Sequence, residues 1–354
     1  MSAKIKTIAF YLPQFYPTPE NDEWWGKGFT EWTNVAKAKP LFKGHYQPRI
    51  PSELGFYDLR VPSTREKQVE LAKMAGVNGF CYWHYWFAGR RLLDQVFTEV
   101  VESGKPDFPF CLCWANHSWE KKDFKNLSNN ITLLEQTYPG DEDIINHFKA
   151  LLPAFKDERY IRVDGKLLFG IFGPGNFPIA HRFFSLWNDL ARQNGLEGFM
   201  FFGFSQGVPD KADFLEDGYD AIVCDYLHEV FEHPNENICL QFKKRFDRKL
   251  FGRPYTVNYD NYSRQAEAYF KANPDIIPCI DPDFDHSPRS GKRWIIMEGS
   301  TPEKWGNFYK NIRNISSHYN NGIIFIKAWN EWGEGNYLEP DLKYGRRYLE
   351  AMSE

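Results

Sequence analysis

No run of about eighteen apolar residues, the length a membrane-crossing helix needs, occurs in this chain of 354 residues. The opening Met1-Ser2-Ala3-Lys4-Ile5-Lys6-Thr7 leads into a short apolar run stopped by Pro13, which lacks the form of a secretory signal. A surplus of positive charge is also missing. Lys and Arg number 43 against 47 Asp and Glu, a formal net charge of −4, too even for a chain that must release counterions from nucleic-acid phosphates. The six cysteines, Cys81, Cys111, Cys113, Cys224, Cys239 and Cys279, never stand at C-x-x-C spacing. Most lie in apolar runs, and all six are expected to be buried free thiols, as in a reducing compartment. The cytoplasm is the expected location, with no insertion into membranes and no nucleic acid as partner. There is no H-E-x-x-H pair for zinc and no glycine-rich dinucleotide fingerprint after the first apolar run. No metal and no cofactor are expected. Ser/Gly linkers and internal repeats are absent, so one domain over residues 1–354 is the simplest organisation.

What the chain has in excess is aromatic rings: 31 Phe, 19 Tyr and 12 Trp, or 18 % of residues. Many stand among Asn, His, Asp and Glu. Flat apolar faces that stack on sugar C–H surfaces, with polar neighbours for the hydroxyls, make up carbohydrate clefts. For any single Phe, packing in the core is the better account.

Eight short, continuously apolar runs read as parallel strands covered on both faces: Thr7–Tyr11, Gly79–Trp83, Phe110–Trp114, Leu167–Phe172, Phe199–Phe204, Ala221–Asp225, Ile276–Ile280 and Ile323–Trp329. Helical patterns separate them. Ser63–Met74 opens on a Ser cap, Ile179–Gln193 sets Phe183, Phe184, Trp187 and Leu190 at helical spacing, and Ser300–Ser317 carries Pro302 in its first turn. This alternation predicts an α/β chain folded as a single (β/α)₈ TIM barrel. Two connections are too long for ordinary βα loops. Leu12–Pro62 holds Trp24, Trp25, Trp32, Tyr46 and Tyr57 with Glu23, Glu31 and His45. Tyr226–Tyr262 carries Lys243, Lys244, Arg245 and Arg248, which suggest an exposed helix. Both long loops, after strands 1 and 6, fall on the face where barrels keep their active sites.

Residues at and beyond the strand ends are therefore the candidates for binding: Tyr11 and Gln14, Trp32 from the first long loop, His84, Tyr85 and Trp86, Trp114, Asn116 and His117, Asp225 and Tyr226, Asp281, and Asn330 and Trp332. His84 shares a strand face with Tyr82 and Trp86; a satisfied buried histidine is the competing account, and a sugar-hydroxyl contact is preferred. The sharpest segment is Ala328–Asn336, where Glu331 and Glu334 stand three apart, with Gly333 and Gly335 between and beside them and two Trp flanking. Burial beside indoles raises a carboxyl above its ordinary value of about 4.3, and a second carboxylate pushes the two titrations apart. Glycoside cleavage needs such a pair.

IAFYLPQFYP (8–17), GFTEWTNV (28–35), FCYWHYWF (80–87), CLCWAN (111–116) and KAWNEWGEG (327–335) resemble the WbsX-type proteins of polysaccharide biosynthesis loci. These are in turn similar to glycoside hydrolase family 99, the endo-α-mannosidases and endo-α-mannanases. The resemblance implies a retaining α-glycosidase acting on an oligo- or polysaccharide. Glu331 would be a base on the sugar 2-OH, forming a 1,2-anhydro intermediate, and Glu334 the acid at the departing oxygen and then the base for water. Gly333 stands where the hydrolases commonly have His, and His117 where WbsX-type chains often have an acidic residue.

Two other functions fit some of these features. A glycosyltransferase of lipopolysaccharide or capsule biosynthesis would use Asp281-Pro282-Asp283 as a metal-binding D-x-D, although Pro282 equally fits a plain turn. A carbohydrate-binding barrel without turnover would use the aromatics, but an anionic pair gains it little.

Overall fold

The computed structural model describes residues 5–121, 130–232, 244, 246, 249–250, 252–317 and 322–353. Eight parallel strands form the barrel: β1 (Lys6–Tyr11), β2 (Gly79–Phe87), β3 (Phe110–Trp114), β4 (Lys166–Ile171), β5 (Phe199–Gln206), β6 (Ala221–Asp225), β7 (Ile276–Ile280) and β8 (Ile323–Ile326). Each pairs with its sequence neighbour, and β1 pairs with both β2 and β8, so the sheet closes without a free edge. Ala9 lies opposite Phe80 on one side and Ile326 on the other.

The strands are apolar throughout because one face fills the lumen while the other packs against helices. Inside, Phe10 stacks on Trp83 with centroids 4.5 Å apart and meets Phe204 and Phe325 at 5.2 Å each. Gly170 makes room for this packing: a Cβ there would lie 2.3 Å from the Phe202 ring. Outside, the helix Ala180–Gln193 lays Phe184 on Phe201 at 4.2 Å and Trp187 near Phe199 at 5.2 Å. Cys81, Cys111, Cys113, Cys224 and Cys279 are buried free thiols; Cys239 lies outside the described residues. No helix among the described residues is long and apolar enough to cross a membrane.

Several boundaries differ from the sequence reading, β5 running on to Gln206 and the helix expected at Ser300 starting at Pro302 among them. The expected Ser63 cap is not one: the helix begins at Pro62, whose fixed φ and missing N–H suit the first position, with Val61 as N-cap. β2 runs on to Phe87 and turns back as a hairpin with Arg90–Leu92. β8 stops at Ile326, although Trp329 N–H rejoins Phe10 O at 2.8 Å. The first long connection holds two short helices, Pro19–Trp25 and Glu31–Lys37. The second holds Leu227–Glu232 and the strand Tyr255–Asn258, which pairs with Ile295–Glu298 from the loop after β7. Of the expected exposed helix, Lys243, Arg245 and Arg248 lie outside the described residues, and Lys244 Nζ donates to Thr256 O at 2.8 Å.

Candidate active site

Beyond β8 the chain makes a small hairpin, Asn330–Glu331 against Asn336–Tyr337, joined by a tight turn at Trp332–Glu334. Two hydrogen bonds fasten it to the barrel rim. Asn330 brackets Leu12, accepting from its N–H at 2.8 Å and donating to its C=O at 3.0 Å. Trp332 is fully buried, stacked on Tyr337 at 3.7 Å, with Nε1 donating to Glu339 at 2.6 Å. Gly335 takes the left-handed conformation, φ 59°, that ends the turn. The result is a rigid turn with Glu331 and Glu334 on its inner side.

Glu331 accepts from Trp83 Nε1 at 2.9 Å. Arg289, from the short helix Ser287–Ser290 after β7, reaches three carboxylates. Its Nη1 donates to Glu334 Oε1 at 2.5 Å and lies 3.9 Å from Glu331 Oε2, while Nε donates to Glu31 Oε2 at 3.0 Å. Lys327, at the end of β8, sets Nζ 3.5 Å from Glu334 Oε2 and 3.7 Å from Asp225 Oδ2. Those last two oxygens are buried and accept no hydrogen bond from the protein. The His286 ring is 4.0 Å from Glu334.

This unequal sharing of cations splits the pair. Burial, then the negative charge of Glu334, pushes Glu331 up to about 7. Partial burial acts on Glu334 too, but Lys327, Arg289 and His286 outweigh that and hold it well below its ordinary value. Two carboxyls with separated titrations are what the sequence predicts. Their order is the reverse of the roles implied by resemblance, since Glu331 is pushed up and Glu334 held down.

Other expected contacts are placed differently. Successive β2 residues alternate faces, and the lumen receives Trp83 and Tyr85. His84 and Trp86 point outward: His84 Nε2 meets His147 Nε2 at 2.7 Å, and Trp86 stacks on His147 at 4.6 Å and donates to Asp143. Trp114 also faces the helices, against His147 and Phe183, and Tyr226 stacks outward on Tyr269. Tyr11 donates to Gln68 at 2.7 Å, again outside the barrel. Trp32 donates to Tyr57 O and backs Trp332. Asn330 and Trp332 are spent on fastening the hairpin. Asp281 accepts from Tyr262 at 2.9 Å and Asn336 at 2.6 Å, and Asp283 from Arg49 at 2.8 Å and its neighbour Phe284 N–H at 2.9 Å. Each oxygen of the D-x-D segment is thus taken by protein donors, a buried brace rather than a metal cradle.

Tyr85 lies within the electrostatic reach of Glu331, Arg289, Glu31 and Glu334, and Asp225 shares Lys327 with Glu334. Gln14 is half-buried. Asn116 ties the β3 and β4 exits, accepting from Gly173 N–H at 2.7 Å. With His117, Phe172, Phe204 and Gln206 it lines a cavity of about 560 Å³ at the exits of β3 to β5. Phe172 and Phe204 also pack edge-on against Trp83, at 5.4 and 5.9 Å, so one indole separates this cavity from Glu331.

Sequence reasoning did not single out Arg289 or Lys327, nor Trp83 and Glu31 as site residues. Lys327 had a signal, a lone cation ending an apolar strand. Arg289 had none, because it reaches the pair only through the adjacency of β7 and β8.

The family model described as Glycosyltransferase WbsX matches residues 7–352. Among curated proteins, the "Uncharacterized protein WxcX" of two Xanthomonas campestris pv. campestris strains, ATCC 33913 and B100, is 34 % identical over 97 % of this chain. The alignment takes in 48 % of those proteins, so the chain spans about half the length of the curated relatives it matches. Among solved structures, a "Glycoside hydrolase-like protein" superposes with TM-score 0.58 at 15 % identity, covering 99 % of this chain and 93 % of the other. The GH99 endo-alpha-mannosidase from Bacteroides thetaiotaomicron does so with TM-score 0.56 at 15 % identity, covering 98 % and 94 %. At that identity the likeness is one of fold.

Proposed function

The chain belongs to the WbsX glycosyltransferase family, and from that premise we propose that it is a carbohydrate-active enzyme of the retaining α-glycosidase type. Its substrate would be a mannose-type or related residue in a microbial polysaccharide. The observation that carries this reading is the Glu331–Glu334 pair, one carboxyl pushed up and the other held down, beside the Trp83 indole. Lys327 lies between the inner oxygens of Glu334 and Asp225. Even with Glu331 neutral, the three carboxylates Glu31, Asp225 and Glu334 outnumber the two cations Arg289 and Lys327. That excess of negative charge suits a neutral sugar whose anomeric carbon turns positive in the transition state.

In the proposed reaction Glu331 takes the 2-OH proton as O2 attacks C1. The C1–O bond to the departing sugar breaks, and its oxygen takes a proton from Glu334. Water then gives a proton to Glu334 and attacks C1, the anhydro ring opens, and Glu331 returns its proton to O2. Two inversions leave the configuration retained. The step needs one proton shared by the pair, which is what the free protein holds near neutrality. That proton must pass from Glu331 to Glu334 as substrate enters, and Arg289 is the group that opposes the move.

The family's description favours a second reading, transfer from a phosphate-bearing sugar donor, whose charge would address Arg289 and Lys327. Both cations are already engaged by carboxylates, which ranks this reading second. Incubation with a panel of α-linked oligosaccharides and nucleotide sugars, with products read by mass spectrometry, separates the two. The expected result is cleavage with retained configuration by the wild type and none by Glu334→Gln. Transfer from a nucleotide sugar without hydrolysis overturns it, and binding with no turnover on any glycan leaves a carbohydrate-binding barrel. If azide rescues Glu331→Gln as an inverted glycosyl azide, Glu331 is an ordinary nucleophile instead.

A further inference from the structure

Position 333 lacks a side chain for a reason of space. Its backbone is not in the left-handed region, yet a Cβ there would lie 2.1 Å from Glu31 Oε2 and 2.9 Å from Arg289 Nε. The glycine leaves open the channel through which Glu31, carried on the helix Glu31–Lys37, reaches Arg289 beneath the turn. Glu31 is itself buried, and it engages Nε while Nη1 is aimed at Glu334. A guanidinium has a planar fork of fixed geometry, so holding one edge fixes the direction of the other.

We propose that Arg289, anchored by Glu31 across the space left at Gly333, is the positioning residue that makes the two carboxyls of the Glu331–Glu334 pair unequal. The proposal rests on the pair being catalytic for its meaning but not for its test. The charged and titratable groups near the pair enter the balance, among them His228 on the helix after β6, which interacts with Glu334 and Lys327. Arg289 and His286 face Glu334 from the loop after β7, Lys327 faces it from β8, and Tyr85 approaches Glu331 from β2 beside the Trp83 donor. Asp225 and Asp281 act through Lys327. Arg289 is the group in this set that touches Glu334 directly and lies within 4 Å of Glu331. It therefore weighs on the two carboxyls unequally, and removing it should level them.

The test uses the whole protein labelled with [δ-¹³C]glutamate, its carboxyl signals followed against pH by NMR. The two resonances are assigned by their loss in Glu331→Gln and Glu334→Gln. In the wild type, Glu331 is expected to titrate near neutrality and Glu334 to stay ionised well below pH 4.5. In Arg289→Gln the Glu334 midpoint should rise by about one to three pH units, the effect of removing an adjacent opposite charge, while Glu331, farther from the lost charge, rises by less. Arg289→Lys should restore most of the separation. Glu31→Asp, which keeps the charge but draws the anchor back, should move the midpoints the same way by less, and serves if Arg289→Gln does not fold. Gly333→Ala should mimic Glu31→Asp by displacing the Glu31 carboxylate. Unchanged Glu334 and Glu331 midpoints in Arg289→Gln, or in Glu31→Asp when only that variant folds, overturn the proposal. Failure to cleave any glycan would strike the catalytic reading and leave these midpoints where they are.

Discussion

Two buried glutamates on one loop, Glu331 and Glu339, are both pushed up to about 7, and burial is the first cause for each. Their surroundings differ. Glu339 accepts from Trp332 Nε1 and Gln68 Nε2, both at 2.6 Å, and from Tyr57 OH at 2.8 Å. All three donors are neutral and local, and they brace the turn from beneath. The Glu331–Glu334 pair has one indole donor and cations shared with other carboxylates. A shifted titration therefore does not by itself mark a reacting group. The carboxyl held by neutral donors is a brace, and the pair balanced by shared cations is suited to chemistry.

Replacing members of each set should break this symmetry. Glu334→Gln and Glu331→Gln are expected to lower turnover of a cleavable glycan by about 10²–10⁴-fold or more, with Glu331→Gln severe even for good leaving groups. Thermal unfolding of Glu331→Gln should stay near the wild type, whereas Glu334→Gln should unfold earlier because it leaves Arg289 and Lys327 short of a partner. Glu339→Gln should differ from both in turnover. Its amide turns an N–H toward three donors, costing about 1–3 kcal/mol of stability, read by denaturant unfolding, while turnover per folded molecule is kept.

The pH dependence sharpens the contrast. Glu339 has a raised carboxyl, so its contribution to stability is present below its ordinary 4.5 and fades as pH rises to about 7. Unfolding free energies of wild type minus Glu339→Gln should therefore shrink across that window. Glu334 runs the other way: its contribution is present above 4.5 and is lost on further acidification. The smallest expected effect belongs to Trp83→Phe, which keeps the ring but removes one hydrogen bond worth about 0.5–1.5 kcal/mol. It should raise the Glu331 titration by about one pH unit or less, seen as an upward shift of the limb of the activity profile that reports this group.

Much of the barrel could be read from the chain because its strands are apolar for a local reason, each being covered on both faces. All eight were found, as were the long connections after β1 and β6. The same property hid the facing of β2. In Phe80–Phe87 both alternating sets are aromatic, so nothing local tells lumen from outside, and His84 and Trp86 were assigned to the sugar while Trp83 and Tyr85 held that side. Trp114 and Tyr226 were misplaced because their strands, FCLCW and AIVCD, are apolar on both alternating sets almost throughout. Asn330, Trp332 and Asp281 were correctly seen as special, but their specialness is bracing.

By itself the sequence determined the alternation that closes the barrel and the loop that carries two glutamates three residues apart, since periodicity and spacing are local properties. The tertiary structure alone decided their charge states. A carboxyl's proton depends on which cations approach it and how dry its surroundings are, and here Arg289, Lys327 and Glu31 arrive from three separate stretches of chain that meet only when the barrel closes.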